Sequence, residues 1–226
     1  MYTVHYAPDS ASLVVRLVLD GAGIPYRTAF VDRASSQQDS ATYRAVNPTG
    51  LIPTLETPKG PISETGAILL WLSDTHRLGP ELTSSERGVF LKWLFFLSNT
   101  VHADLRQLFH PHQYVPAEAH AGHKEIIANR MLRHFGLLDA AATDHPKLFA
   151  PATPLGVYSV ALVRWAALHP GTNPNGMDLA AFPALENLAR AQEARVETRV
   201  IARAEGLGSH PFTRPELLRP SKGPFS

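Results

Sequence analysis

Three short stretches of this chain hold residue types that can do chemistry. The first is Asn47-Pro48-Thr49-Gly50-Leu51-Ile52-Pro53-Thr54-Leu55, followed by Ser63-Glu64-Thr65-Gly66-Ala67-Ile68. A proline opening a strand is where the uncommon cis peptide bond tends to be used. A cis bond there turns backbone donors and acceptors outward, toward an extended, peptide-like ligand. Ser63, Glu64 and Thr65 add hydroxyls, a carboxylate and the unpaired N–H groups of a helix N-terminus, or else they merely cap that helix. The second stretch is the turn Tyr6-Ala7-Pro8-Asp9-Ser10-Ala11-Ser12, just before the apolar run Leu13-Val14-Val15. A Ser10 or Ser12 hydroxyl at a helix start can hold an anion with help from the helix dipole, or be an ordinary N-cap. The third is His102 in Asn99-Thr100-Val101-His102. Neutral, it can accept a proton; charged, it can stabilise an anion; otherwise it is simply a solvated helix residue. Arg106, one turn on, could meet an acidic substrate.

Other chemistries fall away. The chain has eleven histidines, and His110-Pro111-His112 and His120-Ala121-Gly122-His123 invite a metal reading. Neither pair has a third ligand at a familiar spacing, and Pro111 breaks the helix that would align the first, so no metal is expected. With no cysteine there is no disulfide, thiolate metal site or cysteine nucleophile. A net charge of +1 gives no electrostatic case for nucleic acid or an anionic membrane. No apolar run approaches the ~18 residues that cross a bilayer, and Met1 to Tyr6 does not read as a secretion signal. The expectation is a soluble cytoplasmic protein.

The elements that must position these residues fall into two regions. Residues 1–78 alternate strand and helix: a strand over Tyr2–Tyr6, a helix over Ser12–Asp20 stopped by Gly21-Ala22-Gly23, and a strand over Tyr26–Val31. After a variable segment come a hairpin, Thr54–Thr57 with Gly60–Ser63, and a helix over Glu64–His76. This is the βαβαββα order of a thioredoxin-like α/β domain. Residues 83–208 carry helical patterns only. Thr83-Ser84-Ser85-Glu86 reads as a capping box opening a helix to about Phe109. Further helices are expected over Ala117–Thr143, from Thr153-Pro154 to His169, and over Pro183–Ala204 with Gly206 as the stop. The proline-rich tail, 209–226, is expected on the surface or disordered.

In order and spacing, the proline motif, the Glu64-Thr65 pair and the Ser10–Ser12 turn resemble the glutathione S-transferase family, as do Phe182-Pro183-Ala184-Leu185 and Arg195 near the end. The resemblance implies a glutathione transferase that stabilises the glutathione thiolate for attack on a small, apolar electrophile in the cleft between the domains. Ile52 would pair its backbone with the cysteinyl part, beside cis Pro53. Glu64 and Thr65 would hold the γ-glutamyl end. Leu51 stands where many bacterial members have a lysine or glutamine for the glycyl carboxylate, so Gln38 or its neighbour Gln37 is expected to take over. Ser12 lines up with the serine of serine-type members, Ser10 being the alternative. Ala11 falls where other bacterial members have a cysteine, which removes covalent redox chemistry there. His102 resembles a histidine presented to the thiol, while Trp93, Phe95, Phe96 and Phe109 either line the second-substrate pocket or are core. A homodimer is implied, with the Glu64–His76 helix near the partner. Two other readings stay open: a scaffold protein that kept the fold and lost the activity, and a glutathione-dependent isomerase or lyase.

Overall fold

The computed structural model describes residues 1–169 and 177–218. Its N-terminal part is a four-stranded sheet in the order β2-β1-β3-β4. Strand β1 (Tyr2–Tyr6) runs parallel to β2 (Tyr26–Phe30) and antiparallel to β3 (Thr54–Thr57), which forms a hairpin with β4 (Gly60–Ser63). Helix α1 (Ser12–Gly21) is the crossover that a parallel β1–β2 pair requires. A short helix α2 (Ala41–Val46) precedes the proline motif, and α3 (Thr65–His76) follows β4. This is the thioredoxin-like domain expected from the sequence.

The rest is helical. Helix α4 (Arg87–Phe95) leads through a π-helical stretch, Phe96–Val101, into α5 (His102–Phe109). Then come α6 (His120–Asp144), α7 (Pro154–Leu168), α8 (Pro183–Glu193) and α9 (Val196–Glu205). No described helix is long and apolar enough to cross a membrane.

Helix α1 joins the two regions. It packs against β1 and α3 on one side and against α7 and α9 on the other. Leu13, Val14, Val15, Leu17, Val18 and Leu19 are therefore all buried, as an all-round apolar helix must be. At roughly 1.5–3 kcal/mol for each buried aliphatic side chain, this contact is the main hydrophobic seam between sheet and helices. Helix α7 is the other buried rod, covered from Pro154 through Ala166. At its start the Thr153 hydroxyl accepts from the Gly156 N–H at 3.1 Å. A Cβ on Gly156 would lie 2.2 Å from the Ala150 carbonyl oxygen. The preceding loop has closed over this position, so no side chain fits there without moving the loop.

Three boundaries differ from the sequence reading. The capping box at Thr83–Glu86 does not form: α4 begins at Arg87, whose side chain bonds Asp74 at 2.7 and 3.1 Å and the Pro80 carbonyl at 3.1 Å. That tie back to α3 decides where the helix starts. The expected Pro183–Ala204 helix is two, because Arg195 is extended (φ −72°, ψ 140°). Gln192 sits at that break, donating to the Thr198 hydroxyl and accepting from the Ala152 N–H. Finally, the proline-rich tail is packed as far as it is described. Phe212 and Leu218 are buried, and Glu193 accepts from the Phe212 and Thr213 N–H groups at 2.7 Å. Its last residues, 219–226, lie outside the described residues.

Candidate active site

The β1–α1 turn is held from beneath by the helical region. Asp9 has a left-handed backbone (φ 51°) and is buried. Its carboxylate receives two hydrogen bonds from Arg164, at 2.8 and 2.6 Å, and one from the Trp165 indole N–H at 2.9 Å. The Asp9 N–H donates to Glu205, whose other oxygen is ion-paired to Arg16. Arg164, itself buried, also donates to the Pro211 and Glu216 carbonyls. The turn that presents Ser10 is thus anchored by charged groups of α7 and α9, with backbone carbonyls of the tail holding Arg164 in place. Burial, with the Asp9 charge nearby, outweighs Arg16 and lifts the Glu205 carboxyl to about 7.

Above this turn runs a cleft made of two adjoining cavities. One, about 340 Å³, is bordered by Ser10, Arg33, Gln38, Gly50, Arg106 and Phe109, among others. The other, about 610 Å³, is bordered by Pro53, Glu64, Thr65, Phe95 and Tyr158. Ala11, Leu51, Ile52, His102 and Arg106 belong to both, so the two are continuous.

On the sheet side, the Ile52–Pro53 peptide bond is cis. Its loop is braced from below: the Tyr43 hydroxyl and the Asn47 amide both donate to the Leu51 carbonyl, at 2.7 and 2.8 Å. Among the described residues no hydrogen bond occupies the Ile52 backbone. Glu64 is the N-cap of α3, yet its side chain makes no capping bond, and its backbone stands at φ 71°. A positive φ on a non-glycine residue costs on the order of 1–3 kcal/mol and persists only where the surroundings impose it. Thr65 is buried, with its side chain close to the Tyr158 phenol.

The two serines divide. Ser10 borders the cleft, whereas Ser12 is fully buried and does not. The Ser12 hydroxyl donates to the Ala7 carbonyl at 3.2 Å and lies 2.7 Å from the Ser10 hydroxyl. Ser12 opens the first turn of α1 and is buried with Leu13, so of the two serines it is Ser10, and not the first-ranked Ser12, that borders the cleft. A donor that no hydroxyl pattern in the sequence marks is the Ala11 N–H. That amide sits at the α1 N-terminus and has no hydrogen-bond partner among the described residues.

His102 enters the cleft directly after the π-helical stretch, a feature common at functional sites. Its Nδ1 is 2.7 Å from the Tyr158 hydroxyl, and its ring tilts over Trp165 at 5.5 Å. Burial, assisted by the Arg106 charge, lowers its pKa to about 4; burial raises that of Tyr158, so the phenol keeps its proton. The expected aromatic group splits. Phe109 and Phe95 border the cleft. Trp93 and Phe96 instead pack edge-to-face with each other and with Phe149 and His134. Gln38 borders the cleft and its amide oxygen is buried without a partner. Arg33, which the sequence reading did not single out, borders the same cavity. Among the described residues no cluster of histidine and carboxylate side chains could hold a metal ion.

The family model described as "Glutathione S-transferase, N-terminal domain" matches residues 10–75. Glutathione S-transferase GST-4.5 of Xanthomonas campestris is 26% identical over 90% of this chain and 98% of its own length. Disulfide-bond oxidoreductase YfcG of Escherichia coli is also 26% identical, over 83% and 87%. A sphingomonad glutathione S-transferase, solved as a complex with glutathione, superposes with a TM-score of 0.73. It is 25% identical, with 91% of this chain and all of that one covered. The likeness runs through the sheet domain and on through the helices behind it: residues 10–75 match a glutathione S-transferase N-terminal domain, and the chain is similar to glutathione S-transferases over most of its length.

Proposed function

We propose that this protein is a glutathione transferase in which glutathione lies along the Ile52–Pro53 edge. The observation that carries the reading is the continuous cleft joining the start of α3 to the start of α1 past an unoccupied backbone edge. The γ-glutamyl end meets Glu64 and the α3 N-terminus, the cysteinyl part pairs with Ile52, and the glycyl end reaches Gln38 and Arg33. A small electrophile enters between the domains against Leu105, Phe109 and Trp165.

Activation means lowering the pKa of a thiol that is about 8.5 when free, at about 1.36 kcal/mol per unit. The donors on hand are the Ser10 hydroxyl and the Ala11 N–H, backed by the α1 dipole. Ser10 gives its proton to the Ala7 carbonyl at 2.8 Å when no thiolate is present. With a thiolate it turns toward sulfur, while Ser12 keeps its own bond to the carbonyl.

His102 is not the base. Moving a proton from a thiol of pKa about 8.5 to an imidazole at about 4 is uphill by roughly 6 kcal/mol. Nor is it charged at neutral pH. It acts as a neutral donor: Tyr158 donates to Nδ1, so the ring proton sits on Nε2. The chain Thr65–Tyr158–His102 then couples the γ-glutamyl end of the site to its thiol end. The protein works as a cytoplasmic homodimer, with the exposed Phe95 of α4 and the outer face of α3 turned to the partner.

Titration calorimetry with glutathione tests the reading. Binding at millimolar ligand or below is expected, and Thr65→Ala is expected to weaken it about tenfold, the worth of one hydrogen bond to a charged group. No detectable heat at millimolar glutathione would overturn it.

A further inference from the structure

The Arg33 side of the cleft is cationic in a way that glutathione alone does not use up. Arg33 comes from the loop after β2, while Arg106 and His110 come from the end of α5; all three border the same cavity. Among the described residues neither guanidinium has an ion-pair partner. Asp39, the carboxylate on the rim, is taken by Arg44 at 2.6 Å. Arg106 is steadied by a 3.0 Å bond to the Gln113 amide oxygen, which aims it without neutralising it. The two arginines feel each other: burial together with the Arg106 charge lowers the pKa of Arg33, and burial with both charges lowers that of His110. Two partly buried like charges are unfavourable unless an anion joins them. Glutathione brings one carboxylate to this end, and Arg33 beside Gln38 is placed to take it. Arg106 is left over, on the opposite wall, next to the apolar surface of Leu105, Phe109 and Trp165.

From this juxtaposition we propose that the second substrate is itself an anion, an aromatic or otherwise apolar electrophile bearing a carboxylate that docks on Arg106. The proposal rests on the transferase reading and narrows its substrate class. His110, neutral at pH 7, adds a hydrogen-bonding wall, and Gln113 sets the reach of the guanidinium.

The test compares 4-chloro-3-nitrobenzoate with 4-chloro-3-nitrobenzamide. In both, the glutathione thiolate forms a C–S bond at the carbon bearing chlorine, and chloride leaves with the electron pair of the C–Cl bond. Each kcat/KM is divided by the uncatalysed rate constant, which removes the difference in intrinsic reactivity. The expected result is a normalised preference for the acid of at least about tenfold, the value of a charge-assisted hydrogen bond. In Arg106→Gln that preference falls about tenfold, and Arg106→Lys keeps part of it. Arg33→Gln should raise the KM for glutathione instead. A wild-type preference for the amide overturns the proposal without any variant. So does an Arg106→Gln enzyme that keeps the acid preference but binds glutathione more weakly, since Arg106 would then hold the glycyl carboxylate. Turnover of neither compound would count against the transferase reading itself, whereas turnover of the amide alone counts only against the anionic substrate.

Discussion

The Asp9–Arg164 pair offers a quantitative test of how the site is held. Both side chains are buried, and Arg164 meets both Asp9 oxygens, at 2.8 and 2.6 Å. Removing one partner of such a pair leaves an unpaired buried charge, at a cost of about 3–5 kcal/mol. Among the described residues, Arg164→Met leaves the Asp9 carboxylate with only the Trp165 indole N–H. Asp9→Asn keeps the side-chain shape and tolerates the positive φ, so what it removes is the charge. For a chain of this size each kcal/mol moves Tm by roughly 2–4 °C, so either change should lower Tm by roughly 6–20 °C. The double variant is the deciding measurement. Independent sites would give the sum, about 6–10 kcal/mol; coupled partners leave no orphaned charge when both go, so the double should cost little more than either single. Urea or thermal unfolding followed by circular dichroism, with the two singles and the double in one buffer, gives the cycle. Additive losses would refute the reasoning, as would a loss below about 1 kcal/mol in both singles.

Two further predictions concern ionisation. Thiolate absorbance of bound glutathione should fall more in Ser10→Ala than in Ser12→Ala, a pKa rise of about one unit being worth about 1.36 kcal/mol. A larger loss in Ser12→Ala would reverse the assigned roles, and no change in either would hand the task to the Ala11 N–H. Glu205, held at about 7 in the folded protein against an ordinary 4.5, keeps a proton that the unfolded chain has already lost between those values. Its contribution to stability therefore falls as pH rises from about 4.5 to about 7, by a total on the order of 3 kcal/mol. His102 and His169, both lowered to about 4, have the opposite slope, so the informative quantity is wild type minus Glu205→Gln, measured from pH 5 to 7.5. If that difference stays flat across the window, the Glu205 assignment fails.

The sequence by itself determined the architecture and the cis-proline edge. Period-two and period-3.6 apolar patterns, and punctuation such as Gly21-Ala22-Gly23 and Thr153-Pro154, act over a few residues. The same is true of the Ile52-Pro53 and Glu64-Thr65 motifs, whose backbone roles are written into adjacent residues. Only the tertiary structure decided what each side chain faces. The rank of Ser10 over Ser12 depends on the direction in which α1 enters the core. The helix start at Arg87 and the helix break at Arg195 depend on partners elsewhere in the fold, Asp74 for the first and, for the second, a Gln192 amide that also meets Ala152. Most of all, Asp9 with Arg164, Thr65 with Tyr158 and His102, and Arg33 with Arg106 are meetings of residues far apart in the chain. No local pattern encodes them, because charge and hydrogen-bond energies depend on separation and burial in space, and those exist only once α1 has been packed between the sheet and the helices.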